Sequence, residues 1–600
     1  MKRFALMFTV GLALLAAGGA ASAKPGAGGW AADWPIGRIG MARVPDSLGV
    51  NIHFTKPRPG EMRMLAAAGF RWIRMDFAWG ATERTKGHYD FHAYDRLLAA
   101  LERHRLRALW ILDYGNPLYQ HGHAPTTPAA RHAFCRWVVA ALRHFKGHGI
   151  VWEMWNEPNG GSFSSGTGGP MGHWGGADDG VLHFPTTSAA FGVLNVARPG
   201  LGNFTGTLDF SGASFAAAKG RPATLKLFAR GRPWKFWNGA EFPGAKGSFK
   251  LAKVHAQPAG ALSYNFSGGG NYVDATTGLR LRGPGVLRFE VRSALAPQTV
   301  LVRITDHTGQ TLQFYRTCLT AGRWQEFHIP LGRWPSVTAA YARLALDVGK
   351  TIRRVAPQEL YVGPALAGVP HLNFLRGCFQ AGLLKYWNAV TVHPYRPGGP
   401  ESVVADYAAI RKLIARYAPP GKRIPLLSGE WGYSSTWYRG NNGHQARYVA
   451  RELLVNLWRK IPLSIYYDWH NDGANPANRE DNFGLVDFAY HPARNPVYTP
   501  KPAYLAVKTL ASQLHGCVCT GRLQVGHSND YILRFAGPGG ERIVVWETGR
   551  QSQTVLLPLN SGRWQVTNYI GTKTRTVVVP PGVHGLKLAI SHNPQYLIRR

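Results

Sequence analysis

Two glutamates, each near the end of an apolar stretch, are the residues of this chain best placed to do chemistry. Glu157 follows the segment VWEMWN, and Glu430 stands near the end of the segment IPLLSGEWG. Trp155 and Trp431 lie beside them in sequence, and apolar neighbours of this kind favour the protonated form of one carboxyl group. A carboxylic acid of this kind can act as a general acid beside a second, ionised carboxylate.

Cleavage of a glycosidic bond with retention of configuration uses such a pair of carboxyl groups. One carboxylate attacks as the nucleophile, the other group protonates the leaving oxygen, and the two stand about 5 to 5.5 Å apart. The two tryptophans would also offer flat faces on which sugar rings stack. The alternative is that both glutamates are solvated carboxylates at the rim of a fold, without a catalytic role.

The elements that position these glutamates follow a βα pattern. From 45 to 160 the chain alternates short apolar strands, such as WIRMDF and RALWILDY, with amphipathic helical segments. The pattern resumes from 333 to 512, with the strands YWNAVTVHPY, RIPLLSGEWG and PLSIYYDWHN. Eight such units predict an α/β fold, a TIM barrel, whose strands deliver Glu157 and Glu430 to the same C-terminal rim.

A segment of different character, from 161 to 332, interrupts this pattern. It begins with a run rich in glycine and serine and continues as strands that alternate apolar and polar residues. We predict an inserted β-sandwich between strand four and helix four, and a second β-sandwich from 513 to 600. The insert is either a carbohydrate-binding domain or a lid that frames the cleft. The first interpretation rests on four aromatic residues expected to be exposed, namely Trp234, Phe236, Trp237 and Tyr272.

WNEPN on strand four, together with SGEWG on strand seven, resembles the motifs of clan A retaining glycoside hydrolases. VTVHPY on strand six fits the same pattern. The segment SLGVNIHF and the helix YDRLLAAL are most similar to families 39 and 5, whose bacterial members are often associated with exopolysaccharide. The resemblance covers the barrel and leaves the insert unaccounted for.

The resemblance implies a role for each matching position. Glu157 would be the general acid/base, Glu430 the nucleophile, and Asn156 the amide that binds the 2-hydroxyl of the sugar. It also implies supporting roles at four other positions and no metal or organic cofactor. Arg74 would be the arginine beside the nucleophile. His393 and Tyr395 would be the strand-six pair that orients the nucleophile, and Trp469 would be the stacking platform after strand eight.

Composition and charge indicate where the protein acts and what kind of partner it binds. Residues 1–23 have the pattern of a signal peptide cleaved after Ala23, followed by a linker over 24–44, so we expect a secreted or periplasmic protein. No later apolar run approaches the ~18 residues of a membrane span. With 69 Lys plus Arg against 33 Asp plus Glu, the chain carries a formal charge of +36, which favours an anionic polysaccharide. The charge also suits an acidic habitat, and nucleic acid is disfavoured because no basic tract or binding motif is found.

Three functions remain open from the sequence. The first is a retaining glycosidase acting on a β-linked polysaccharide or oligosaccharide. The second is a non-catalytic glycan-binding protein on the same scaffold, and the third is a transglycosylase that shares the covalent intermediate. The oligomeric state is not indicated by any pattern in the chain.

Overall fold

The computed structural model describes residues 39–600 except for 165–168, 178, 196–204, 219, 241–243, 333, 335, 397, 550–551 and 584. The predicted signal peptide and most of the predicted linker lie outside the described residues. In the part of the chain that is described, no helix combines the length and apolar character needed to cross a membrane.

Eight parallel strands close into a barrel, in chain order around the ring. The predicted TIM barrel is therefore confirmed. Its interior is apolar at the bottom, where side chains such as Trp72, Ile111 and Leu427 form a separate core. The strands are β1 (Leu48–Asn51), β2 (Trp72–Ala78), β3 (Arg107–Asp113), β4 (Val151–Met154), β17 (Leu360–Ala367), β18 (Ala389–His393), β19 (Leu426–Trp431) and β20 (Ser464–Tyr466).

Helices cover the outside of the barrel and bury their apolar faces against the strands. The helix that follows the insert shows why it forms where it does. The Ser336 hydroxyl accepts from the Ala339 N–H at 3.1 Å, which caps the first turn, and Tyr341, Leu344 and Val348 lie buried on one face. The helices are α1 (Glu61–Ala67), α2 (Trp79–Thr82), α3 (His92–Arg103), α4 (Pro128–His144), α5 (Val337–Val355), α6 (Leu372–Gln380), α7 (Val403–Tyr417), α8 (Asn442–Trp458) and α9 (Pro502–Gln513).

Between β4 and α5 the chain forms two antiparallel sheets that share one apolar core. One sheet contacts the turn Pro158–Gly160 that follows β4, and we call it the insert sheet; its order is β5-β15-β14-β6-β12-β9. Its partner has the order β10-β11-β7-β13-β16, with β8 paired to β7. This is the predicted inserted sandwich. Its strands are β5 (Gly172–Trp174), β6 (Thr186–Leu194), β7 (Thr205–Ala217), β8 (Ala223–Thr224), β9 (Lys235–Trp237), β10 (Lys246–Val254), β11 (Gln257–Asn265), β12 (Tyr272–Gly278), β13 (Gly285–Ser293), β14 (Gln298–Asp306), β15 (Thr311–Cys318) and β16 (Trp324–Leu331).

The expectation that four aromatic residues of the insert are exposed is wrong for three of them. Trp234 and Phe236 pack against the insert core, and the Trp234 ring stacks on Phe228. Tyr272 is buried, whereas Trp237 is exposed. The sequence pattern did not separate these residues because the short strand β9 turns only one of its two aromatic side chains outward.

The C-terminal residues form a second sandwich-like unit with its own core. Its larger sheet has the order β23-β24-β25-β30-β27-β28, and β26 pairs with β29. Trp546 connects this unit to the barrel by donating its indole N–H to Glu401 at 2.7 Å. The strands are β23 (Val518–Leu523), β24 (Asp530–Gly537), β25 (Gly540–Glu547), β26 (Gln553–Leu557), β27 (Gly562–Asn568), β28 (Thr574–Val579), β29 (Leu586–Ile590) and β30 (Gln595–Arg599), after a hairpin of β21 (Val486–Tyr490) and β22 (Tyr498–Pro500).

Candidate active site

The carboxylates of Glu157 and Glu430 meet at the C-terminal rim of the barrel. Each contributes an oxygen, and His393 a ring nitrogen, to a group of atoms that all lie within 4.8 Å of one another. The Glu430 side chain is 7% exposed, and that of Glu157 is 33% exposed. One carboxylate is therefore enclosed at the floor of the site, and the other faces the open side.

Glu157 is held by its backbone in a conformation that a glutamate seldom adopts. Its φ of 50° and ψ of 53° lie in the left-handed region, which costs energy for any residue with a Cβ. Neighbouring groups fix this turn: the Glu157 N–H donates to the Ala365 carbonyl at 3.0 Å, and the Ser162 hydroxyl is within bonding distance of the Asn156 and Glu157 carbonyls. Trp155, two residues earlier, also has a positive φ of 63°, so the strained backbone lies where the chain leaves the strand direction.

Arg74 is the centre of the polar network below the site. It is buried, and it donates to Glu153 Oε2 and Glu430 Oε2 at 2.6 Å each and to Asn156 Oδ1 at 2.8 Å. Burial lowers the pKa of Arg74, but the charges of Glu153 and Glu430 outweigh it and raise that pKa above its ordinary value. The guanidinium therefore stays charged and fixes one oxygen of Glu430.

Tyr395 fixes the other oxygen of Glu430. Its hydroxyl donates to Glu430 Oε1 at 2.9 Å. Burial, and then the charge of Glu430, raise the pKa of Tyr395 well above its ordinary value, so the hydroxyl keeps its proton and remains a donor. Both oxygens of Glu430 thus have a donor that holds the carboxylate in one orientation.

His393 stands between the two glutamates but lies closer to Glu157 than to Glu430. Its Nδ1 is 2.9 Å from Glu157 Oε1 and 4.0 Å from Glu430 Oε2. The resemblance placed His393 and Tyr395 together beside the nucleophile. In the structure Tyr395 contacts Glu430 directly, and His393 is a neighbour of the other carboxyl group.

Asn156 is held from two sides. Its side-chain oxygen accepts from Arg74, and its nitrogen donates to the Tyr114 hydroxyl at 3.0 Å. Its amide is thereby oriented at the edge of the site, next to Glu157 in sequence. The role of binding a sugar hydroxyl stays a prediction.

Trp469 is the one predicted site residue that the structure does not bring to the carboxylates. It is 1% exposed, its indole N–H donates to Glu61 at 3.1 Å, and its ring contacts Tyr498 and Tyr504. These partners lie outside the barrel strands, towards α1 and α9, so the ring has no free face for a sugar. We leave Trp469 out of the proposed site.

Three residues that the sequence motifs did not indicate belong to the network in the structure. Glu153 binds Arg74 from β4, Tyr114 binds Asn156, and the Tyr467 ring lies 6.4 Å from that of Tyr395. The signal for Glu153 was a charged residue within the apolar strand that leads to Glu157, because a charged residue inside a barrel needs a partner. Tyr467 stands two residues before Trp469 in the segment YYDWHND. The stacking role was assigned to Trp469 because its ring is larger.

The fold is similar to that of a solved glycoside hydrolase. No protein-family model and no curated protein sequence matches the chain. A family 39 glycoside hydrolase from the gut symbiont Bacteroides cellulosilyticus WH2 superposes with a TM-score of 0.56 at 18% identity, covering 93% of this chain and 82% of that one. The two proteins share a fold. At this identity the likeness concerns the family 39 fold and does not extend to the chemistry.

Two further structures are similar over most of their length. A family 39 β-xylosidase from Caulobacter crescentus covers 93% of this chain and 97% of its own, at 14% identity and a TM-score of 0.45. A family 30 endoxylanase from Clostridium papyrosolvens C71 covers 94% and 98%, at 9% identity and a TM-score of 0.47.

Proposed function

We propose that this protein is a retaining glycoside hydrolase in which Glu430 is the nucleophile and Glu157 the general acid/base. The observation that supports it is that one oxygen of Glu157 and one oxygen of Glu430 lie within 4.8 Å of each other. Retaining enzymes keep their carboxyl groups about 5 to 5.5 Å apart, whereas inverting enzymes leave about 6.5 to 9.5 Å for a water molecule. The short separation favours direct attack by a carboxylate.

The surroundings of the two glutamates support this division of roles. Glu430 is enclosed and receives hydrogen bonds from Arg74 and Tyr395, which suits a group that must be ionised and fixed to attack the anomeric carbon. Glu157 is more exposed and contacts His393, without a permanently charged partner among its described contacts. It is therefore the group that can hold a proton and pass it to the leaving oxygen.

Catalysis then takes two displacements. In the first, a Glu430 oxygen bonds to the anomeric carbon while the glycosidic bond breaks and the Glu157 proton moves to the departing oxygen. In the second, Glu157 takes a proton from water, the water oxygen bonds to the anomeric carbon, and Glu430 leaves as a carboxylate. When an acceptor sugar replaces water in this step, the same residues carry out transglycosylation.

For the substrate we propose a β-linked polysaccharide or oligosaccharide outside the cytoplasm. The signal-peptide pattern supports a secreted or periplasmic location, and the formal charge of +36 supports an anionic polymer. We propose no metal or organic cofactor for the reaction.

The test is a panel of 4-nitrophenyl β-glycosides, with proton NMR to follow the anomer that is released first. We expect at least one β-glycoside to be cleaved, with the β-anomer appearing before mutarotation. Initial release of the α-anomer would contradict the retaining mechanism. Absence of cleavage across the aryl panel and a polysaccharide panel, with glycan binding intact, would instead favour the non-catalytic binding protein.

A further inference from the structure

The outer face of the insert sheet presents a row of aromatic and polar side chains that the catalytic centre does not use. The opposite face packs into the insert core through residues such as Phe191, Val302 and Val273. Because side chains alternate along a strand, the positions between these core residues face outward. They include Arg303 on β14, Gln313 on β15 and Asp274 on β12.

The register aligns these outward residues across the sheet. Arg303 is opposite Gln313 on one side and Ala190 on the other, and Asp274 is opposite Gly192 and Trp237. A Cβ at Gly192 would overlap the Val273 backbone and Asp274. The small residues of β6 therefore leave room for the larger side chains of the neighbouring strands to lie over them.

Arg303 holds this face together. Its guanidinium donates to Asp274 at 2.7 Å and to Gln313 at 2.8 Å, and it lies 4.0 Å from the centre of the Tyr272 ring and 5.1 Å from that of Trp174. The Trp237 indole N–H donates to the Tyr272 hydroxyl at 3.2 Å. The aromatic rings are thus fixed by polar partners.

Trp174 and Trp237 are 38% and 47% exposed and are the tryptophans in the described part of the chain that show this much surface. They lie on the two edge strands of the same sheet. The two indoles are linked through Arg303 and Tyr272, because Arg303 lies against both Trp174 and Tyr272, and Trp237 bonds to the Tyr272 hydroxyl. Two exposed indoles on one face, with charged and amide groups between them, suit a chain of sugars more than a single ring.

The insert sheet is attached to the catalytic rim at two places. On one side, β5 contacts the turn Pro158–Gly160 that directly follows Glu157, and the Met171 N–H donates to the Gln313 carbonyl at 2.7 Å. On the other side, the Asn271 amide, with its oxygen turned towards Arg479, accepts from the two terminal nitrogens of Arg479 at 3.0 and 3.1 Å. Arg479 belongs to the loop after β20.

These two attachments fix where the sheet runs. In the ring of eight strands, β4 and β20 lie four strands apart and therefore on opposite sides of the barrel. The insert sheet thus crosses the mouth of the barrel, with its first strand beside the proposed acid/base. The leaving group of the substrate passes next to Glu157, because that residue must protonate its oxygen.

We propose that the outer face from Trp174 to Trp237, called the insert platform, binds the leaving-group end of the glycan chain. This inference rests on the proposed function, because the roles proposed for Glu157 and Glu430 define which end of the glycan is the leaving-group end. The ligand is an oligosaccharide whose rings stack on the two indoles and whose hydroxyls bond to Arg303 and Gln313, while the buried Asp274 holds Arg303 in place. The occupant follows from continuity with the proposed catalytic site, since β5 contacts the turn Pro158–Gly160 that follows Glu157.

The first arm of the test is kinetic and uses Trp174→Ala and Trp237→Ala in the full chain. The substrates are a 4-nitrophenyl glycoside, which has no sugar on the leaving-group side, and hexasaccharides of xylose, of glucose and of a uronic acid. We expect kcat/KM on the cleaved hexasaccharide to fall about two- to tenfold more than on the aryl glycoside. Trp174→Phe should recover most of the loss, and Leu319→Ala, an exposed change elsewhere in the insert, should change neither substrate.

The second arm measures binding without turnover. Calorimetric titration of the hexasaccharides into Glu430→Gln protein should give a dissociation constant that rises about two- to tenfold when Trp174→Ala is added, with an unchanged thermal unfolding midpoint. Tryptophan-dependent binding in a chain that cleaves no glycoside would support the platform and overturn the proposed function. Cleavage with equal losses on both substrates, or hexasaccharide binding that is absent or ignores both tryptophans, would overturn the platform.

Discussion

The barrel rim and the insert platform are each organised around one arginine, and the two arginines differ in what surrounds them. Arg74 is enclosed and bound by two carboxylates and an amide, whereas Arg303 lies between aromatic rings and pairs with one carboxylate. A charge that must hold a reacting group in one place benefits from removal from water. A face that binds a polymer needs rings that solvent, and therefore the ligand, can reach. In the proposed function, an arginine would thus support catalysis in one region and recognition in the other.

The two regions should differ most in the effect of changing the carboxylate partners of the two arginines. Glu430→Gln removes the nucleophile, so we expect kcat to fall by about 10⁴-fold on aryl glycosides and hexasaccharides alike. Asp274→Asn should reduce kcat/KM on the hexasaccharide more than on the aryl glycoside. Steady-state assays of both variants decide this, and a Glu430→Gln protein of near-normal activity would remove Glu430 from the mechanism.

Loss of Glu157 should separate substrates by their leaving groups. Glu157→Ala removes the proton donor, so we expect a fall of about 10² to 10⁴-fold for poor leaving groups such as alcohols and a much smaller fall in the first step for 4-nitrophenolate. Azide should restore turnover of the aryl glycoside by forming a β-glycosyl azide, detectable by mass spectrometry. A variant that hydrolyses oligosaccharides normally would contradict the acid/base assignment.

The two arginines should also differ in their contribution to stability. Arg74→Met leaves the buried carboxylates of Glu153 and Glu430 without their cation, and we expect the free energy of unfolding to drop by about 3 to 5 kcal/mol. Arg303→Met leaves one such carboxylate, so its drop should be smaller. Urea unfolding followed by circular dichroism measures both. The control is Arg131→Met, which breaks a partly exposed pair with Asp347 and should cost about 1 kcal/mol or less; equal losses for Arg74 and Arg303 would remove the distinction.

The smallest expected effect concerns the net charge and shows whether the insert platform binds an anionic or a neutral polymer. If the positive surface attracts an anionic polymer, kcat/KM on a uronic-acid hexasaccharide should fall severalfold as salt rises from about 0.1 M to 1 M, because the screening length shortens from ~10 to ~3 Å. The value for a neutral hexasaccharide should change little. Equal salt dependence for both substrates would attribute the charge to the habitat of the protein.

The barrel and its two glutamates could be predicted because both depend on local patterns. Apolar strands alternating with amphipathic helices predict parallel βα units, and parallel units bring Glu157 and Glu430 to one rim whatever lies between them in sequence. Arg74, within β2, and Tyr395, just after β18, were assigned from the family resemblance of the motifs that contain them. These residues needed no knowledge of how side chains pack.

The parts that could not be predicted depend on contacts between distant segments. Whether Trp469 or Tyr467 lies next to the carboxylates depends on the path of the loop after β20, and both rings are equally plausible in the sequence. Trp174 stands in a glycine-rich segment without a strand pattern, and its place on the insert sheet follows from pairing with β15. The pairing of Arg303 with Asp274 likewise joins strands that are not neighbours in the chain.

Ser162 sets a limit on how this protein can be re-engineered. It belongs by sequence to the start of the inserted segment, yet its hydroxyl bonds to the backbone of the acid/base turn and accepts from the Trp155 indole at 3.0 Å. Gly161 is equally committed, because it has a φ of 105° and a Cβ there would overlap the Met171 carbonyl. A chimera that exchanges the insert for a domain of different specificity must therefore retain this serine and glycine and join the new domain after them.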